Sequence, residues 1–267
     1  MDEALKGQNP LYGNIKESIA TNQGKAMEDL KLAAMVHYSF LPEDYEDERI
    51  IVASTLRPLY TIGGDFCSII PLDDDHLLIC TCDAVGHGVS AALFAARINT
   101  YVLTHAHIGL PPCELVSGLN SHLCKRLEGS GMYTSFYAVL VDFKDKKITL
   151  AGAAHPPVLH LCPETNKCFT WPSSVTYLGI DDPMLLNCDS ESIKMVYGQK
   201  FLLYSDGLIE AENADQEQFG VDNLSSMFEK YKSLEGQELN EVILSCTESF
   251  AEKGFSDDVL LISITLK

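Results

Sequence analysis

The sequence predicts an α+β layered domain, with a helical arm ahead of it, and not a doubly wound parallel sheet. Two observations carry that expectation. Strand-like apolar runs and helical runs alternate from residue 49 to the C-terminus. Several strands are neighbours in sequence, joined by tight turns, while the helices come in groups between them, which is the α+β pattern and not the βαβ one. The 267 residues are 46% hydrophobic and 21% charged, enough for one large core or two modest ones.

The elements follow in order. Residues 1–24 are polar, carry glycine and proline, and read as a flexible arm. Residues 25–41 turn helical, with Met27, Leu30, Ala34, Tyr38 and Leu41 three or four apart, until Pro42 stops them. Leu32, Met35, Val36 and Phe40 fall off that stripe, so the helix has a second face. By default it lies on the main domain; the alternative is pairing with a second copy as a short coiled coil, a homodimer. Residues 50–53 and 76–83 read as strands, 90–105 as a buried helix, and 113–127 as an amphipathic helix with Leu115, Leu119 and Leu123 four apart. A hairpin is expected from 134–143 and 147–153, then a strand ending at His160 and Leu161, and a strand over 200–205. Helices over 221–231 and 239–253 precede a closing strand over 259–266. The arm and its helix form a unit of residues 1–45, and the domain proper spans 46–267.

Composition excludes several classes. With 38 Asp and Glu against 19 Lys and Arg, the formal charge is −19, which repels nucleic acid and anionic lipid. The most apolar stretch, residues 91–103, is short and interrupted by Arg97 and Asn99, so no membrane span is expected. The N-terminal MDEALKGQNP lacks a signal-peptide core, and the 9 cysteines form no CxxC pair. A cytoplasmic protein with free thiols is the expectation. His105 and His107 form an isolated HxH that reads as packing or surface.

The candidate chemistry lies in acidic residues at strand ends. Gly63-Gly64-Asp65 is one. Asp83 follows its strand directly and precedes Gly86-His87-Gly88. Asp206-Gly207 follows Phe201-Leu202-Leu203-Tyr204, and Asp257-Asp258 precedes the last strand. A sheet holds such carboxylates rigidly, and hard oxygen donors suit Mg²⁺ or Mn²⁺. Each piece alone also fits an ordinary turn; their order and strand context together point to a site.

That order resembles a known family. GGDF (63–66), DAVGHGVSAAL (83–93), YSDGLIEAEN (204–213) and SDDVLLISI (256–264) resemble the SpoIIE-like branch of the bacterial type 2C metal-dependent protein serine/threonine phosphatases, the PPM family. LAAMVHYSFLP (32–42), Thr134, AGAAHPPVL (151–159) and Phe219-Gly220 agree with its other blocks. The resemblance implies a four-layer α-β-β-α sandwich of two mainly antiparallel sheets. It implies two divalent cations, Mn²⁺ or Mg²⁺. Asp83 would bridge them and the Ala84 carbonyl would ligate one; Asp65 would serve the second, and Asp206 and Asp257 would complete the other's shell, with Asp258 the lesser candidate of its pair. His87 would donate a proton to the leaving alkoxide or fix its loop, the latter preferred, and Arg57 is a candidate phosphate contact or else a surface arginine. The family's reaction is hydrolysis of phosphoserine or phosphothreonine on a regulatory protein, here a STAS-type anti-sigma-factor antagonist in partner-switching signalling. Departures from the pattern include Ser68 for an aspartate, expected to loosen support of Asp65, and Leu260 for a threonine. Two rivals remain: a weak or inactive phosphatase-fold binding module, and a metal enzyme for small phosphoesters.

Overall fold

The computed structural model describes residues 25, 27–127, 129–180 and 188–267. The expected flexible arm, residues 1–24, lies outside the described residues. Helix α1 covers residues 27–38, and a turn at 39–40 ends it ahead of Pro42. It lies on the domain: Leu30, Ala33, Ala34 and Tyr38 pack with Ile62 and Ala92.

Two sheets follow, all of whose ladders are antiparallel. The first has the order β1 (Tyr45–Glu46), β2 (Ile50–Arg57), β11 (Val259–Leu266), β10 (Lys200–Tyr204), β7 (Val158–Cys162), β8 (Lys167–Trp171). The second has the order β3 (Phe66–Pro71), β4 (His76–Ala84), β5 (Thr134–Asp142), β6 (Lys147–Ala153), β9 (Glu191–Lys194). Helices α2 (Val89–His105) and α3 (Pro112–Arg126) cover the second sheet; α5 (Gly220–Lys230) and α6 (Gly236–Phe250) cover the first. The short α4 (Asp206–Ile209) leads off β10. This is the four-layer α-β-β-α sandwich of the sequence reading.

Three buried clusters explain the layers. β4 reads HLLICTCDA, apolar without alternation, because both of its faces are covered. Leu77 and Ile79 enter the core between the sheets, while Leu78, Cys80, Cys82 and Ala84 enter the core under α2 and α3. β10 divides likewise: Phe201 and Leu203 face inward, Leu202 and Tyr204 face α5 and α6. Each leucine, isoleucine or phenylalanine among them contributes about 1.5–3 kcal/mol of burial.

Several elements differ from expectation. β2 continues past Ala53 to Arg57, because Ser54 and Thr55 pair with β11 and interrupt only the apolar pattern. β1, β3, β8 and β9 gave no strand signal. β8 and β9 are edge strands whose residues are mostly exposed, so no apolar alternation marks them. Thiols Cys67, Cys80 and Cys82 are buried in strands as small apolar groups. His105 stacks on Tyr101 at 3.9 Å, a packing role.

Candidate metal centre

The pleat decides where the carboxylates go. On β4, residues 77 and 79 face the space between the sheets, so Asp83, four beyond Ile79, faces the same way at the strand's end. Asp65 precedes β3, Asp206 follows β10, and Asp257-Asp258 precede β11. Strand starts and strand ends alternate in antiparallel neighbours, so all of these positions meet at one end of the sandwich.

Asp65 is buried, and its Oδ2 has no hydrogen-bond partner. Burial first, then Asp83, Asp258 and Asp206, push its pKa well above the usual carboxylate range. Burial, then Asp206, Asp257 and Asp258, raise Asp83 to about 7. Burial, then Glu210 and Asp257, also raise Asp206. The acidic groups therefore crowd one another in a region of reduced solvation.

Neighbouring groups fix this arrangement. Thr134 donates to the Asp83 carbonyl at 2.7 Å across the β4–β5 ladder. Gly64 lies so close to β4 that an added Cβ would stand 2.6 Å from the Ala84 carbonyl oxygen. An added Cβ on Gly207 would stand 2.2 Å from the Asp258 carbonyl. Ser205 accepts from Leu260 N–H at 2.9 Å and donates to the Asp258 carbonyl at 3.3 Å, tying β10 to β11.

Asp258 spends its carboxylate on the loop before β3. It accepts from Leu59 N–H at 2.7 Å and from Gly64 N–H at 3.1 Å. Asp257 is exposed and accepts one hydrogen bond, from Asp258 N–H at 2.7 Å, which leaves it the freer member of the pair. Ser68 donates to Asn99 on α2 at 3.3 Å, so its hydroxyl supports the helix layer and not Asp65.

Above the carboxylates opens a cleft of about 270 Å³, lined by Asp83, Asp206, Asp257 and Ser256 below and by Tyr60, His87, Tyr133 and Tyr177 at its rim. His87 is exposed and lies 4.9 Å from the Tyr60 ring, centroid to centroid. Tyr133 and Tyr177 meet edge to face at 5.1 Å. No lysine or arginine lines the cleft among the described residues. Arg57 is not brought to it: its guanidinium contacts both carboxylate oxygens of Glu241 at 2.8 Å. The sequence reading had no signal for Tyr60, Tyr133 or Tyr177, which arrive from separate loops.

The donor set fits divalent cations. An unpartnered buried carboxylate oxygen, mutually raised aspartates and no organic cation are the marks of a site completed by metal charge. Among the described residues no three acidic, His or Cys groups close into a ready-made cage. Mg²⁺ commonly takes one or two carboxylates and keeps several waters, so a looser ring of carboxylates suits it.

Comparison with known proteins agrees with this geometry. The family described as stage II sporulation protein E (SpoIIE) matches residues 73–267. Phosphoserine phosphatase RsbU of Bacillus subtilis is 22% identical over 262 residues, covering 96% of this chain and 76% of RsbU. The solved SiaA-PP2C domain of Pseudomonas aeruginosa superposes with a TM-score of 0.78 at 18% identity, over 93% of this chain and 100% of that one. RsbX, solved in complex with magnesium, superposes with a TM-score of 0.63 at 17% identity, over 84% and 98%. No helix among the described residues is long and apolar enough to cross a membrane. With the sandwich, the carboxylate ring and the matched span in hand, the chain belongs to the SpoIIE family, within the SpoIIE-like PPM phosphatases.

Proposed function

We propose that this chain is a metal-dependent protein serine/threonine phosphatase that removes phosphate from phosphoserine or phosphothreonine on a regulatory protein. The observation that carries the reading is the charge of the cleft: aspartates line it and, among the described residues, no lysine or arginine does. A phosphate dianion enters such a place only if cations come between it and the carboxylates. RsbX, a structural neighbour, is solved with magnesium, and RsbU is a phosphoserine phosphatase.

Asp65, Asp83, Asp206, Asp257 and the Ala84 carbonyl would hold two divalent cations, Mn²⁺ or Mg²⁺. Such ions, when bound, neutralise phosphoryl oxygens and acidify a water nucleophile. The chain's own part is positioning. Thr134 holds the Asp83 carbonyl, and Asp258 holds the loop that carries Asp65. Asp65 and Asp83 must give up protons as the ions enter, because burial and mutual repulsion favour their protonated forms. His87 stands at the rim against Tyr60, where it orients its loop within reach of a leaving group. Arg57, held by Glu241, serves the α6–β2 contact in this reading.

The partner is a phosphorylated regulatory protein, and a STAS-type anti-sigma-factor antagonist is the choice the family resemblance favours. A homodimer would use the outer stripe of α1, where Leu32, Met35 and Val36 are 58%, 70% and 58% exposed. The test is hydrolysis of p-nitrophenyl phosphate and a phosphoserine peptide with Mn²⁺, with Mg²⁺ and with chelator, beside Asp83→Asn and Asp206→Asn. Metal-dependent turnover lost in both variants is expected. A folded protein that binds neither metal by calorimetry would overturn the reading in favour of a non-catalytic binding module.

A further inference from the structure

We propose that Tyr177 touches the substrate: its hydroxyl donates a hydrogen bond to an oxygen of the phosphate ester, with Tyr133 bracing the ring. The inference rests on the phosphatase reading and extends it to a residue that no sequence motif marks.

Tyr177 sits on a strap that follows β8 and crosses back over the second sheet. The strap is pinned at several points. Ala154 N–H donates to the Val175 carbonyl at 2.7 Å. Leu178 and Thr134 exchange both backbone bonds, at 2.9 and 3.1 Å. Gly179 N–H donates to Asn120 Oδ1 on α3 at 2.9 Å. Gly179 adopts φ +93°, and a Cβ there would stand 2.9 Å from the Met132 carbonyl, so the chain takes this path only with glycine at that position. Thr134, the strap's partner, is also the residue that holds the Asp83 carbonyl. The strap and the carboxylate ring are thus fixed to the same strand.

This anchoring delivers the Tyr177 ring to the cleft rim, edge to face with Tyr133. Burial, then the carboxylates of Asp206 and its neighbours, hold the phenol above its ordinary pKa, so it stays a donor at neutral pH. Donors are scarce here. Among the described residues the lining offers no lysine or arginine, so substrate oxygens not met by a cation depend on neutral N–H and O–H groups. Two other lining groups, His87 and Tyr60, lie against each other. Tyr177 is a lining hydroxyl whose strap is held on both sides of it, at Val175 and at Leu178, and a preorganised donor is the kind that stabilises developing charge.

The experiment uses the full chain with Mg²⁺ and compares wild type with Tyr177→Phe, which keeps the ring and removes only the donor, and with Tyr197→Phe at an exposed tyrosine outside the cleft lining. Two readouts are taken: kcat/KM on a phosphoserine peptide, and the Kd of inorganic phosphate for the Mg²⁺-loaded protein by calorimetry. Loss of a hydrogen bond to a charged group predicts a fall of about tenfold in both for Tyr177→Phe. Mg²⁺ affinity and Tm should stay at wild-type values, and Tyr197→Phe should change either readout by less than about twofold. Wild-type values in both readouts for Tyr177→Phe would overturn the proposal and leave the phosphatase reading standing. A parallel loss of Mg²⁺ affinity or of Tm would also overturn it, by showing a structural role. A wild-type protein that neither hydrolyses the peptide nor binds phosphate would remove the phosphatase reading and this proposal with it.

Discussion

Replacing Asp83 by asparagine should stabilise the metal-free protein while destroying its use of metal. Asp83 faces Asp65, Asp206, Asp257 and Asp258 at one end of the sandwich, and its pKa rises from 3.8 to about 7. The folded pKa lies above the unfolded one, so the fold holds the proton longer. The stability this supplies is complete below about pH 4 and is lost as pH rises through 7. At 1.36 kcal/mol per unit, full ionisation costs the metal-free fold at most about 4 kcal/mol. Asp83 titrates beside Asp65 and is partly exposed, so a gain of about 2 kcal/mol on removing the charge is the working figure. For a domain of this size that is roughly 4–8 °C in Tm. The assay is thermal unfolding by circular dichroism at pH 8 in chelator, repeated with saturating Mg²⁺. The variant should melt higher than wild type in chelator, should gain little from Mg²⁺, and should lose its advantage at pH 4. A variant that melts at or below wild type in chelator would show that the aspartates do not repel one another, and the electrostatic reasoning would fail.

Three further outcomes follow from the same structure. Gly64→Ala should cost about 2 kcal/mol of stability and at least tenfold in Mg²⁺ affinity by calorimetry, because its Cβ would press on the Ala84 carbonyl. Below pH 6.5 the fold should weaken through His155, which burial holds neutral down to about pH 4. The unfolded chain takes up a proton that the folded one refuses, so this histidine's own share of the change between pH 7.5 and pH 5 is a loss of about 2 kcal/mol, read by urea denaturation as the difference in that change between wild type and His155→Gln. Arg57→Ala should leave kcat/KM on a phosphoserine peptide within about threefold and cost less than about 1 kcal/mol, since it breaks one half-exposed ion pair with Glu241.

The fold class and the candidate ligands were legible in the sequence because both are written in local patterns. Unbroken apolar runs such as that of β4 mark strands covered on both faces, and acidic residues placed at their ends inherit a rigid mounting. Asp65, Asp83, Asp206 and Asp257 could be picked out together from strand context and order, with no knowledge of distance. β3, β8 and β9 were not legible: β3 is six residues behind a glycine pair, and the other two are edge strands whose exposed residues need no apolar alternation. Asp258 was expected to be the lesser ligand of its pair; that its carboxylate accepts two N–H groups of a loop some 200 positions earlier is a contact that exists only in space. Arg57 looked available for phosphate and is held by Glu241, whose helix the sequence could not aim.

Periodicity and the ends of strands are properties of neighbours along the chain, so the sequence by itself determined the α+β layering and the candidate ligands. Which loops face those ligands is set by how the two sheets stack and where the strap after β8 is pinned. Only the tertiary structure could therefore bring Tyr60, Tyr133 and Tyr177 to the cleft and turn Arg57 away from it. The reason is physical: such contacts join segments far apart in the chain, and their geometry follows from the packing of the whole core, not from any local preference of the residues that meet.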